Sequence, residues 1–145
     1  MRAFDHDYAE EVIARLARIP ENAQPRWGRL TRDQLYAHLT NALRYSMGRS
    51  GEPLNKSTWY SRNVIRPLLF LGVLRIPKNV KIPGLEKIPD GDLETLQAVM
   101  DDYLNLVQAD ELEPYPHIFF GELDVDGWAR LHVIHFEHHL RQFNA

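Results

Sequence analysis

The chain of 145 residues has no cysteine. That excludes disulfide cross-links, thiolate metal sites and a protein thiol as nucleophile. It also has no long apolar run. The longest, LLFLGVL from Leu68 to Leu74, falls far short of the ~20 residues that a membrane-spanning helix needs. Basic charge is not in excess: 17 Lys and Arg against 20 Asp and Glu leave −3 with the histidines neutral. A protein that binds nucleic acid without regard to sequence needs a basic footprint, so no nucleic-acid partner is expected. Arg26, Arg29 and Arg32 form a local cluster, which reads as the solvated start of a helix. The opening MRAFDHDYAEEV is acidic and lacks an apolar stretch, so no secretory signal is expected. With no cysteine either, a cytoplasmic protein with no membrane partner is expected.

No strand-type alternation runs beyond a few residues, and no internal repeat is found. What is present is ordinary globular composition, 44% hydrophobic and 26% charged. The length fits one domain, residues 1–145, large enough to bury a core. Helical spacing is clear in four places. Phe4, Tyr8, Val12, Leu16 and Ile19 predict a first helix ended by Pro20. Thr31 with Gln34 is a capping box that opens a second, running to about Gly48. Leu93, Leu96, Met100, Tyr103, Leu104 and Val107 mark a helix from about Asp92 to Ala109. Asp124 can cap a last helix that continues to about Phe143. Between them, Thr58–Leu74 reads as an accessory helix broken or restarted at Pro67. A proline-rich ribbon with Pro77, Pro83 and Pro89 follows. The expected fold is therefore all-α, a bundle of four principal helices with an accessory helix and a long proline-rich loop.

Four of the seven histidines, His132, His135, His138 and His139, lie within the last helix. On a helical wheel, His132, His135 and His139 fall within a sector of about 60° on the apolar face. His138 falls on the flank and, with His6, is expected at the surface. Glu137 falls on the solvent side. A buried imidazole requires a hydrogen-bond partner or a metal ion. His135 and His139, four apart, can converge on one ion; His132 and His135, three apart, can do the same. His38 sits on the apolar stripe of the second helix, between Leu35, Leu39 and Ala42, where it can supply a third nitrogen. Three histidines leave coordination positions open, the layout of a reactive rather than a purely structural centre. The sequence has no H-E-x-x-H. A lone helical H-x-x-x-H arises often by chance, and a satisfied core histidine is the plainer account of any one of them.

The stretches LYAHL (Leu35–Leu39) and HFEHH (His135–His139) resemble the two halves of the metal site in DinB/YfiT-like proteins. More narrowly, PRWGRLTRDQLYAHL and HIFFGELDVDGWARLHVIHFEHHLRQF resemble an uncharacterised DinB-like subgroup, a family built on a domain of unknown function. The likeness covers nearly the whole chain in helix order and does not extend to Gly51–Asp90. It implies a four-helix bundle with His38, His135 and His139 as ligands of a divalent metal, Zn, Ni, Fe or Mn. It also implies kinship with enzymes that move a low-molecular-weight thiol onto an electrophile, and with related hydrolases and isomerases. His117, Tyr115 and Trp27 match recurrent positions without an assigned role.

Two functions are expected to compete. One is a metal-dependent enzyme acting on a small-molecule substrate. Candidate residues around its metal are His132, Asn41, Gln142, His117 and Tyr36, and the proline-rich ribbon and the His117 loop are candidate pocket walls. The other is a non-catalytic bundle whose histidines are satisfied core residues or bind metal only to stabilise the fold, and which associates with itself, as a homodimer, through Trp59, Phe70 and Leu71.

Overall fold

The computed structural model describes residues 2–78 and 87–145. Within them the fold is all-helical, with no strand; the nearest approach to one is an isolated bridge between His117 and Gly121. The elements are α1 (His6–Ala17), α2 (Arg32–Ser46), a π-helical turn (Ser61–Ile65) running into α3 (Arg66–Phe70), α4 (Leu93–Gln108) and α5 (Val125–Gln142). None of these helices is long and apolar enough to cross a membrane.

The helix starts follow from side-chain capping of free N–H groups. Asp5, Asp92 and Asp124 accept from Tyr8, Thr95 and Gly127. Both bonds of the Thr31–Gln34 capping box are present. The first helix is thus shorter than the apolar spacing implies. Phe4 and Ile19 lie outside α1 yet remain buried.

Each of α1 and α2 packs chiefly against α4 and α5. The core between them holds Tyr8, Val12 and Leu16 of α1, Leu35, Leu39 and Leu43 of α2, Leu96, Met100 and Tyr103 of α4, and Val133, Phe136 and Leu140 of α5. A second cluster under α3 joins Leu69 to Phe120, Leu123, Trp128 and Leu131. The last helix therefore touches apolar side chains on more than one side, and 10 of its 18 residues are buried. A single inward stripe does not describe it.

The accessory helix restarts at Pro67, as expected: α3 begins at Arg66 with Pro67 in its first turn, and the chain ahead of it does not break. It widens instead: the Arg66 N–H bonds the Ser61 carbonyl, five residues back. A wider turn leaves room for the pyrrolidine ring beside the preceding carbonyls. Phe70, expected on a free surface, is half-buried against Phe120. Trp59 and Leu71 are 68% and 75% exposed. The proline-rich ribbon lies partly outside the described residues, Pro83 included. Its end is fastened to α2: Gln34 Nε2 donates to the Ile88 carbonyl and Gly91 N–H to that of Asp33. Gly91 presses so close to α2 that a Cβ would meet the Ala37 nitrogen at 2.7 Å, which leaves no space for a side chain.

Candidate metal centre

His38 comes from the middle of α2, flanked by the buried Leu35 and Leu39 that hold the helix in the core. His135 and His139 come from successive turns of α5, whose Phe136 and Leu140 anchor it on the other side. Packing of α2 on α5 brings the three imidazoles together. The Nε2 of His135 lies 2.9 Å from that of His38 and 3.1 Å from that of His139. All three ligand nitrogens fall within 4.8 Å of one another. The rings stand nearly perpendicular in pairs, at 75–81°, with centroids 4.7–4.9 Å apart. His139 is buried; His38 and His135 are half-buried.

One Nε2 carries either a single proton or a single lone pair. His135 therefore cannot form a full hydrogen bond to both neighbours. An ion can serve all three. Imidazole nitrogens at 2.0–2.1 Å from a tetrahedral ion would stand about 3.3 Å apart, within a few tenths of an ångström of the two close distances. The donor set thus fits a divalent metal.

The orientation of His139 is settled by its neighbours. Gln142 Nε2 donates to the Trp27 carbonyl at 2.9 Å, which turns its Oε1 toward His139. That oxygen accepts from His139 Nδ1 at 2.7 Å. The proton is thereby placed on Nδ1, and Nε2 is left bare toward the cluster. Burial pushes the His38 imidazole down to about 4, helped by nearby His138. Burial also pushes His139 down to about 3, with His38 adding and the Gln142 bond opposing. His135 is held well below the ordinary range by burial, then by His139 and His38. All three are neutral at pH 7, the form that binds metal.

The other candidates separate. Gln142 is at the site. His132 is not: it is 2% exposed, its Nε2 meets Ser46 Oγ at 3.0 Å and its ring stacks on Trp128. His117 accepts from the Phe119 and Phe120 N–H groups and stacks on Phe120. Its loop borders the second apolar cluster rather than the three imidazoles. Tyr36 donates to the Leu16 carbonyl and ties α2 to α1. Asn41 is exposed, with no hydrogen bond to the cluster among the described residues.

Two wheel positions need correction. His138, expected at the surface, is 7% exposed. The loop before α2 folds over that flank, and the Trp27 ring lies 5.5 Å from His138 while His138 stands edge-on to His139 at 5.0 Å. Glu137, expected in solvent, is half-buried. It accepts from Tyr8 and pairs with Arg15 at 2.9 Å. Trp27 is the participant that sequence reasoning left without a role. The available signal was a large aromatic in an otherwise polar loop, opposite the Gln142 that closes α5. His6 is exposed as expected. A cleft of about 790 Å³ lies elsewhere, lined among others by Arg66, Phe70, Asp126 and Arg130. None of the histidines borders it.

Fold and site together define an all-helical protein with three histidines placed to hold a metal ion. The family is shown by its sequence: residues 1–145 match the model for the family described as protein of unknown function (DUF1569), and the chain belongs to that family. No curated protein and no solved structure matches it.

Proposed function

We propose that this protein is a metal-dependent enzyme of the DinB-like type, with His38, His135 and His139 as ligands. The observation that carries this reading is the convergence of three neutral imidazole nitrogens from two helices, one of them oriented by Gln142. When bound, a divalent ion held this way supplies Lewis acidity, which turns a water or a small-molecule thiol into a nucleophile at neutral pH. The chain has no cysteine, so a reacting thiol belongs to a cosubstrate. The family likeness favours transfer of that thiol to an electrophile, with hydrolysis or isomerisation as the related alternatives. The protein's own residues bind and orient: Gln142 fixes the tautomer of His139, and Trp27 with His138 keeps water from one flank. The absence of cysteine supports a cytoplasmic setting.

A non-catalytic role in self-association has one observation in its favour. Every exposed large hydrophobic residue among those described falls between Leu54 and Leu74, a pattern that suits contact with a second copy. The enzyme reading requires bound metal. Protein purified without a histidine tag is expected to carry about one equivalent of divalent metal by elemental analysis, and His38→Ala to carry none. Metal-free protein that also fails to take up Zn²⁺ or Ni²⁺ would remove the enzyme reading.

A further inference from the structure

The accessory helix has two apolar sides. It runs from Trp59 through the π-turn to Phe70. On its inner side Leu69 is buried, with Ile65 and Phe70 half-buried, in the cluster with Phe120, Leu123, Trp128 and Leu131. Its exposed residues are Trp59, Tyr60, Asn63 and Pro67, and the exposed Leu71 follows directly. They recur every three or four residues, which sets them on one face. Asn63 does not interrupt that face with a free amide, because its Nδ2 donates back to the Trp59 carbonyl at 2.8 Å. At the end of the helix Val73 and Leu74 extend the outward apolar surface, at 68% and 37% exposed.

Charge in this part of the chain runs against the rest. Residues 53–78 carry Lys56, Arg62, Arg66, Arg75 and Lys78 and no Asp or Glu, so all 20 acids lie elsewhere. Lys56 stands three residues before Trp59 and Arg75 directly after Leu74, both exposed. Arg62 and Arg66 are half-buried, on Ser57 Oγ and on the carbonyls of Phe120 and Glu122. Glu122, Asp124 and Asp126 line a cleft beside Arg66, yet among the described residues none of the five cations forms an ion pair.

We propose that this face docks on the surface of a membrane that contains anionic phospholipid. Trp59 and Tyr60 suit the headgroup level, Leu71, Val73 and Leu74 the edge of the acyl region, and Lys56 and Arg75 the lipid phosphates. The expectation of no membrane partner rests on the lack of a spanning segment. No described helix can cross a membrane, and lying on one requires only an apolar face with cations beside it. A second copy fits less well. In a two-fold contact the face meets itself, and the cations of one copy meet those of the other with no acid in the segment to answer them. A nucleic acid would stack on Trp59 and Tyr60 and leave Leu71 and Val73 without a partner. The proposal is independent of the metal reading.

The test is co-sedimentation of the full chain at low salt. The vesicles are phosphatidylcholine alone, or phosphatidylcholine with about 30% phosphatidylglycerol as the anionic lipid. The wild type should bind the anionic vesicles and shift its tryptophan emission to the blue, a shift that Trp59→Phe should lose. Lys56→Ala/Arg75→Ala should weaken binding to the anionic vesicles by about thirtyfold, equal to about 2 kcal/mol. Leu71→Ser/Val73→Ser should weaken it by about tenfold or more. All four of these side chains are exposed, so helix content by circular dichroism should not change. A wild type that stays off the anionic vesicles overturns the proposal, and so does binding that both double variants retain. A dimer in sedimentation equilibrium that Leu71→Ser/Val73→Ser dissolves would assign the face to a second copy and also overturn it. Tighter binding to a single-stranded oligonucleotide than to the anionic vesicles would overturn it in favour of nucleic acid.

Discussion

His132 and His135 stand three residues apart on α5, both on the side that turns toward the protein, and their surroundings differ in kind. His132 is enclosed by aromatic rings: Trp128 at 5.3 Å, Tyr103 at 5.0 Å and Phe4 at 5.5 Å. Ser46 Oγ donates to the Leu43 carbonyl at 2.7 Å, so its oxygen is free to accept from His132 Nε2–H. His132 is thus a core residue with its polar atom satisfied. His135 is only half-buried, and its Nε2 faces two other imidazole nitrogens, more than hydrogen bonding can satisfy. The same residue type on the same helix is structural where a hydroxyl meets it and a ligand candidate where other histidines do. Burial alone does not make the distinction; the identity of the partner does.

The contrast can be broken by substitution, beginning with the largest effect. His135→Ala removes one of three ligands. If each contributes about a third of the ~10–16 kcal/mol of a tightly bound zinc, metal affinity should fall by roughly a few hundredfold to several thousandfold, measured by competition with a chelator. The metal-free protein should unfold at nearly its original denaturant midpoint. His132→Ala should do the reverse. It opens a cavity among aromatics and strips Ser46 of its partner, so chemical unfolding should show a loss of about 3 kcal/mol, with metal stoichiometry retained.

Acid sharpens the same comparison. Burial pushes His132 down to about 3 in the folded chain, against about 6.5 when unfolded. Below pH 6.5 the unfolded state then binds more protons than the folded one. His132 therefore contributes stability above that pH, which is lost as pH falls toward 3, by up to about 1.4 kcal/mol per pH unit. Metal binding competes with protons in the folded state, where His38 lies at about 4 and His139 at about 3. Metal affinity should hold to about pH 5 and fall steeply below 4. Stability of the metal-free protein measured across pH 3–8 is expected to begin falling below about pH 6.5 and metal affinity only below about pH 5, and His132→Ala is expected to lose less stability than the wild type over pH 6.5 to 3.

The smallest effect is expected from Gln142→Leu. It leaves all three ligands in place but removes the acceptor that holds the proton on His139 Nδ1. Loss of such an orienting bond lowers metal affinity by about 10- to 100-fold, below the loss in His135→Ala. Stability should fall by about 1–3 kcal/mol, since the buried His139 Nδ1–H loses its acceptor.

Much of this was legible in the sequence. Capping pairs are local, so Thr31 with Gln34 and the aspartates at 5, 92 and 124 mark helix starts without knowledge of the fold. His135 and His139 are one helical turn apart, and that spacing alone puts their rings side by side. The wheel went wrong at His138 and Glu137 because it assumes one buried face. The last helix has the main core on one side, the second apolar cluster on another and the Trp27 loop on a third. No periodicity within Val125–Gln142 reports what a loop a hundred residues away will cover. Pro67 was legible in part: it marks the restart of an α-helix, while the π-turn ahead of it has no sequence signal of its own.

By itself the sequence determined the helices, their capped starts and the pairing of His135 with His139, because those depend on neighbours within a turn or two. Tertiary structure decided the rest: that His38 joins the pair, that His132 is retired by Ser46, and that His138 and Trp27 close one flank. The joining of His38, His132's bond to Ser46 and the Trp27 contact link residues roughly 90 or more positions apart. Only the packing of α2 and the loop before it onto α5 brings their atoms within reach.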